Sequence, residues 1–198
     1  MIDAARMVER CANLRVETER LTIRRFDGSD FELALEHESD PRIMEYIRDP
    51  GPSDELRKKV ESFIGPWNAG ESEWLGLPVA LRGRQPMIGV VCFRVVSFEN
   101  ETAEIGFRLH HDHHRRGLGY EASSWLRDFL FDDLGVRKLI ALCVAENVPS
   151  YRLLEKLGMR REGRLSEHSR LGGRWRDELL YGLLVHERRG RLTPPDSA

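Results

Sequence analysis

The chain has 198 residues, 40% of them apolar and 32% charged, and a formal net charge of −2. A chain this long buries roughly 70% of its unfolded surface in one domain, so its core needs neither a disulfide framework nor a structural metal. The near-neutral balance argues against a nucleic-acid partner, and no apolar run approaches the ~20 residues that span a bilayer.

Taken in chain order, residues 1–15 show weak periodicity and read as an N-terminal arm that carries no secretory signal. Leu21–Phe26 alternates as a strand, and Asp27-Gly28 turns the chain into a short helix capped by Ser29 or Asp30. Asp40-Pro41 breaks that helix. Ser53 caps a better-marked one, whose Leu56, Val60, Phe63, Ile64 and Trp67 share one face. Strands follow over Leu77–Leu81, Met87–Phe98 and Glu101–Leu109. In the third, Ile105, Phe107 and Leu109 share one face, and Glu104, Gly106 and Arg108 the other.

A helix is expected over about 119–133, because Ala122, Trp125, Leu126, Phe129 and Leu130 fall at i, i+3, i+4, i+7 and i+8. The apolar run Lys138–Ala145 reads as a strand covered on both faces. Asn147–Leu157 reads as a helix, and 161–185 as a hairpin turning at Gly172-Gly173. Residues 187–198 read as a loose tail. The element order predicts a single α/β (α+β) domain with a mixed, mostly antiparallel sheet flanked by helices. Cys11, Cys92 and Cys143 form no CxxC pair, as expected of reduced thiols in a cytoplasmic protein. Cys92 and Cys143 also sit in apolar runs and read as core residues.

The segment His114-Arg115-Arg116-Gly117-Leu118-Gly119-Tyr120 joins a strand to an amphipathic helix. Its glycines let backbone approach a ligand, the helix start leaves N–H groups unpaired, and its basic residues attract an anion. A phosphate or pyrophosphate site fits this pattern. A tight turn with solvated arginines fits it too. The spacing is neither a dinucleotide fingerprint nor a Walker loop, which disfavours a nucleotide hydrolase. His110, His111, His113 and His114 cluster in one loop with no distant partner evident in sequence, so no metal site is expected.

Residues 16–185 resemble the GCN5-related N-acetyltransferase (GNAT) superfamily, and within it the RimJ/RimL-like branch. The resemblance rests on Glu17–Arg24, Ser39-Asp40-Pro41, Ile88-Gly89-Val90 and Ala103–Phe107. It continues through the 114–119 loop, Glu146–Ser150, Leu154–Met159 and Gly172–Asp177, all in the family's order. His114, Arg115 and Met159 depart from the family's usual residues, and Leu154 stands where a tyrosine acid is common.

The resemblance implies a parallel strand pair, 101–109 and 138–145, that splays to admit the pantetheine arm of acetyl-CoA. The arm would pair with backbone near Phe107, Arg108 and Leu109. The pyrophosphate would rest on Arg115, Arg116, Gly117, Leu118, Gly119 and Tyr120, beside His114, and a carboxylate placed at position 119 should abolish binding. Glu104 is the candidate base that frees the attacking amine, or is simply paired with Arg108 or Arg94. Ser150, with Tyr151 second, is the candidate acid for the leaving thiolate; Ser150 could instead be only a first-turn helix residue. Asn147 caps its helix, touches the cosubstrate, or does both. Trp67 and Trp74 line the acceptor pocket or belong to the core. The expected partners are acetyl-CoA and a protein N-terminal or small amine; homodimers are common in similar proteins. The competing reading is an acyl-CoA-binding module without turnover.

Overall fold

A computed structural model describes residues 2–49 and 51–188; the 187–198 tail therefore lies almost wholly outside the described residues. Eight strands form one sheet in the order β1-β2-β3-β4-β5-β6-β8-β7. They are β1 (Arg15–Glu17), β2 (Leu21–Arg24), β3 (Leu75–Leu81), β4 (Met87–Ser97), β5 (Thr102–Leu109), β6 (Lys138–Val144), β7 (Arg160–Leu171) and β8 (Arg174–Leu184). Every neighbouring pair is antiparallel except β5 and β6. The predicted mixed, mostly antiparallel architecture is therefore the observed one.

Helices cover both faces. On one face α2 (Phe31–Ser39) and α4 (Ser53–Ile64) enclose a small core of Phe26, Ala34, Val60, Met87 and Val90. Between them in sequence lies the short α3 (Pro41–Met44). On the other face α5 (Leu118–Asp132) inserts Leu118, Ala122, Leu126 and Leu130 into the main core, against Val91, Phe93 and Ile105 of the sheet. Of the stripe read from sequence, Ala122, Leu126, Phe129 and Leu130 are buried and Trp125 is half-buried. α6 (Val148–Lys156) follows β6 and buries Leu154.

Three expectations need correction. The N-terminal arm is not an appendage: α1 (Ala4–Ala12) is capped by Asp3, and its Met7 and Cys11 are each 1% exposed within the main core. Only two of its nine residues are buried, too few to register as a stripe. β1 was not expected, because three residues with mostly exposed side chains carry no alternation signal. β6 is not covered equally on both faces. Leu139, Ala141 and Cys143 are buried, while Ile140 and Leu142 are only half-buried.

Candidate active site

The sheet opens where its single parallel pair ends. β5 and β6 pair only from Thr102↔Lys138 to Glu104↔Ile140, although β6 stays paired to β8 as far as Val144. From Ile105 onward the β6-side edge of β5 has no strand partner, which leaves a wedge-shaped notch. The direction of its backbone groups follows from register. The His110 N–H donates to the Ile88 carbonyl of β4 at 2.8 Å, and Arg108 lies opposite Val90. Alternate residues along a strand share a hydrogen-bonding direction. Arg108 therefore turns its main chain to β4, while Ile105, Phe107 and Leu109 turn theirs to the notch. This corrects the expected backbone role of Arg108. Its guanidinium is also occupied, with Glu38.

The start of α5 closes one end of the notch. Gly117 holds φ +77° and Arg115 φ +58°, and no side chain caps the helix. Among the described residues, the N–H groups of Arg115, Arg116, Gly117, Leu118, Gly119 and Tyr120 have no protein acceptor. The first in-register bond runs from the Glu121 N–H to the Gly117 carbonyl. Six unpaired donors at the positive end of a 15-residue helix form an anion cradle.

The loop is braced from behind. Glu121, 7% exposed, accepts from the Thr18 hydroxyl at 2.6 Å, the Arg20 N–H at 2.8 Å and the Arg20 Nε at 2.7 Å. Arg20 in turn donates to the Arg116 carbonyl at 2.9 Å. Burial pushes the Glu121 carboxyl up, but the hydrogen bonds from Thr18 and Arg20 outweigh it and hold the group below its ordinary value. A carboxylate in the first turn of α5 is thus turned away from the cradle and neutralised. The His114 ring bonds to the Leu109 carbonyl at 3.0 Å, tying the loop to the end of β5. A Cβ on Gly119 would lie 3.2 Å from Leu153 and 3.4 Å from Leu109. A side chain there acts first by crowding the notch between β5 and α6, not through charge. Arg115 and Arg116 are exposed, and Lys156 lies 4.3 Å from the Tyr120 ring centroid.

The chemical candidates sit around the same notch. Glu104, 8% exposed, occupies the last paired rung of β5, and Arg94 contacts its Oε2 at 2.8 and 2.6 Å. The pairing with Arg94 is real, and both contacts fall on one carboxylate oxygen. Asn147 caps α6 by accepting from the Ser150 N–H at 3.2 Å. Half-buried Ser150 lies near the Cys143 thiol, whose pKa burial raises to about 11. Tyr151 packs on the main core. Trp67 is a core residue, edge-on to Phe93 at 5.4 Å. Trp74 is 38% exposed beneath Arg94.

Sequence reasoning missed Glu38. It is 1% exposed on α2 and contacts Arg108, Arg48 and Lys59, the last at 3.2 Å. Ala34, His37 and Glu38 are all buried at i, i+3 and i+4, so a polar pair on an apolar helix face was the available signal. The loop histidines do have a distant neighbour: Asp40, His110 and His111 offer ligand atoms within 4.8 Å of one another. Asp40 already accepts from the Arg42 backbone at 2.8 Å and from its guanidinium at 2.8 and 3.1 Å, so we assign no ion there. A shallow depression of about 590 Å³ over α2 is lined by none of the candidate residues.

Residues 20–160 match the acetyltransferase (GNAT) domain family. The chain belongs to that family, whose members use acetyl-CoA, and it is an enzyme of the N-acetyltransferase class. It is 32% identical to the uncharacterised N-acetyltransferase YnaD of Bacillus subtilis, over 88% of this chain and 99% of that protein. The solved GNAT acetyltransferase of Bacillus anthracis is 31% identical, covers 87% of this chain and 99% of its own, and superposes with a TM-score of 0.75. A spermidine N-acetyltransferase of Vibrio cholerae, solved with CoA and spermine, shares the fold at 23% identity and a TM-score of 0.74. That match covers 84% of this chain and 96% of the other.

Proposed function

We infer that this chain transfers an acetyl group from acetyl-CoA to a primary amine by direct attack within a ternary complex. The observation that carries the reading is the row of six unpaired N–H groups from Arg115 to Tyr120, which opens onto the unpaired edge of β5. The pyrophosphate rests on that row. The pantetheine arm lies in the notch beside Phe107 and Leu109. A notch-facing N–H of β5 donates to the thioester oxygen as negative charge develops on it.

The amine nitrogen attacks the thioester carbon, and the tetrahedral intermediate collapses by breaking the C–S bond. Glu104 takes the amine proton through water on the oxygen that Arg94 does not contact. Ser150 supplies a hydrogen bond or proton to the departing CoA thiolate, and Tyr151 is the second candidate. Asn147 holds Ser150 in place by capping α6. The whole chain acts as one catalytic domain. Its RimJ/RimL-like motifs favour an acceptor that is a protein N-terminus or a small amine. Among the described residues no helix is long and apolar enough to cross a membrane, and all three cysteines are unbridged, which supports a cytoplasmic setting.

Calorimetric titration with CoA and with pantetheine, beside thiol-release assays over a panel of amines, tests this reading. CoA should bind at least tenfold more tightly than pantetheine, since two charge-assisted phosphate contacts alone supply that factor. Equal affinities would remove the pyrophosphate from the α5 cradle.

A further inference from the structure

The start of α5 is flanked by four exposed cations that have no carboxylate partner among the described residues: Arg115 and Arg116 in the loop, Arg152 and Lys156 on α6. The carboxylates closest to them on these two helices are engaged elsewhere. Glu121 is held by Thr18 and Arg20, and Glu155 accepts from the Tyr181 hydroxyl at 3.0 Å. A helical lysine finds its ion-pair partners three or four residues away. At those places before Lys156 stand Leu153 and Arg152, and four residues beyond it, in β7, stands Arg160. Like charges at i and i+4 repel, so α6 gains nothing for itself from this pair.

Lys156 differs from the other three in having a fixed seat. Its Nζ lies 4.3 Å from the centroid of the Tyr120 ring, and Tyr120 is packed against the main core. The ring attracts the ammonium on one side and leaves its N–H donors turned toward other acceptors. Tyr120 also carries the last unpaired N–H of the cradle. One turn earlier on α6, Leu153 borders Gly119, and one turn before that stands Ser150. α6 thus runs alongside the site from the thiolate end at Ser150 to the cradle, and Lys156 stands at the cradle's side away from Ser150.

The six N–H groups match a pyrophosphate, a diester with a single charge on each phosphate. CoA carries a further phosphate, a monoester on the ribose 3′ oxygen, one sugar ring away from the pyrophosphate. A phosphate monoester holds about −1.5 to −2 charges at neutral pH, and calls for a cation as well as backbone donors. We infer that Lys156 binds the 3′-phosphate of acetyl-CoA, with Arg152 adding positive field from the preceding turn. Through this contact the enzyme selects free CoA thioesters over donors that lack the phosphate, such as an acyl-phosphopantetheine arm on a carrier protein. The inference rests on the acetyltransferase reading and deepens it by fixing the chemical class of the donor.

Calorimetry with CoA and with 3′-dephospho-CoA tests this, because the two ligands share the pyrophosphate and the pantetheine arm. CoA should bind at least tenfold more tightly. Lys156→Gln should bring CoA down to the affinity of dephospho-CoA and leave the latter within about twofold of its parent value. Lys58→Gln, the same charge change at an exposed site on α4, should keep the preference. Equal binding of the two ligands by the parent overturns the inference and leaves the acetyltransferase reading standing. So does a preference that survives Lys156→Gln, or a variant that loses both ligands alike. Failure of the parent to bind either ligand overturns the acetyl-CoA reading and this inference with it.

Discussion

Glu104 and Glu121 each bury a carboxylate against an arginine, yet only Glu104 stands at the rung where β5 and β6 part. Removing its charge should leave acetyl-CoA affinity unchanged and slow transfer by about 10²–10⁴, the range of a general base. Single-turnover rates of Glu104→Gln, set beside calorimetric affinities, check this; an unchanged rate would reduce Glu104 to a partner of Arg94. Glu121 serves the loop instead. Its carboxyl sits below the ordinary 4.5, so it favours the folded state above that pH, and the contribution fades as pH falls through the folded value. Glu121→Gln should cost about 2 kcal/mol near neutrality, on the scale of charge-assisted hydrogen bonds. The stability gap to the parent should close below about pH 4.5, as read by denaturant melts across pH. For Glu104 the sequence already offers a base or a partner of Arg94, and Arg94 does reach it. The part Glu121 plays is not readable, because Thr18 and Arg20 come from more than 100 residues away in sequence.

At the scale of elements, legibility followed the number of buried side chains. α5 buries Leu118, Ala122, Leu126, Phe129 and Leu130 at helical spacing and starts on a left-handed glycine, so both its face and its start were evident. α1 buries only Met7 and Cys11, and its anchors to the rest of the chain, Arg6 and Arg10 on Asp133, lie more than 120 residues away in sequence. The Glu38 knot was hidden for the same reason, since Arg48, Lys59 and Arg108 come from three separate segments. If α1 is part of the core, Met7→Ala should cost about 2–5 kcal/mol, as for other buried large-to-small changes. An exposed arm residue would cost less than about 0.5 kcal/mol, and the midpoint of urea unfolding separates the two cases. The sheet has a similarly sharp requirement at Gly89. A Cβ there would lie 2.3 Å from the Arg108 carbonyl and 2.8 Å from the Leu109 Cα. Gly89→Ala must therefore push the end of β5 outward. It should weaken CoA binding more than it weakens folding, measured by calorimetry beside thermal melts.

Over the whole molecule, the sheet is two blocks joined through three parallel rungs: β1 to β5 on one side, and β6, β8 and β7 on the other. A ligand lying in the notch contacts both blocks and supplies bonds that the short strand junction lacks. Binding to the folded state alone stabilises it by RT ln(1 + [L]/Kd), about 2.7 kcal/mol at a hundredfold excess over Kd. For a chain of this size that is a rise of roughly 5–10 °C in Tm. The distribution of the effect is more informative than its size. Amide exchange should slow at Phe107, Leu109 and the 115–120 N–H groups, and along β6 beyond Ile140, where strand pairing to β5 has ended. Exchange in α1, anchored on Asp133 at the opposite end of α5, should follow only the global rise in stability. Protection that increased evenly across both blocks, with no excess at Phe107 or Leu109, would place the cosubstrate outside the wedge and leave its unpaired edge without a role.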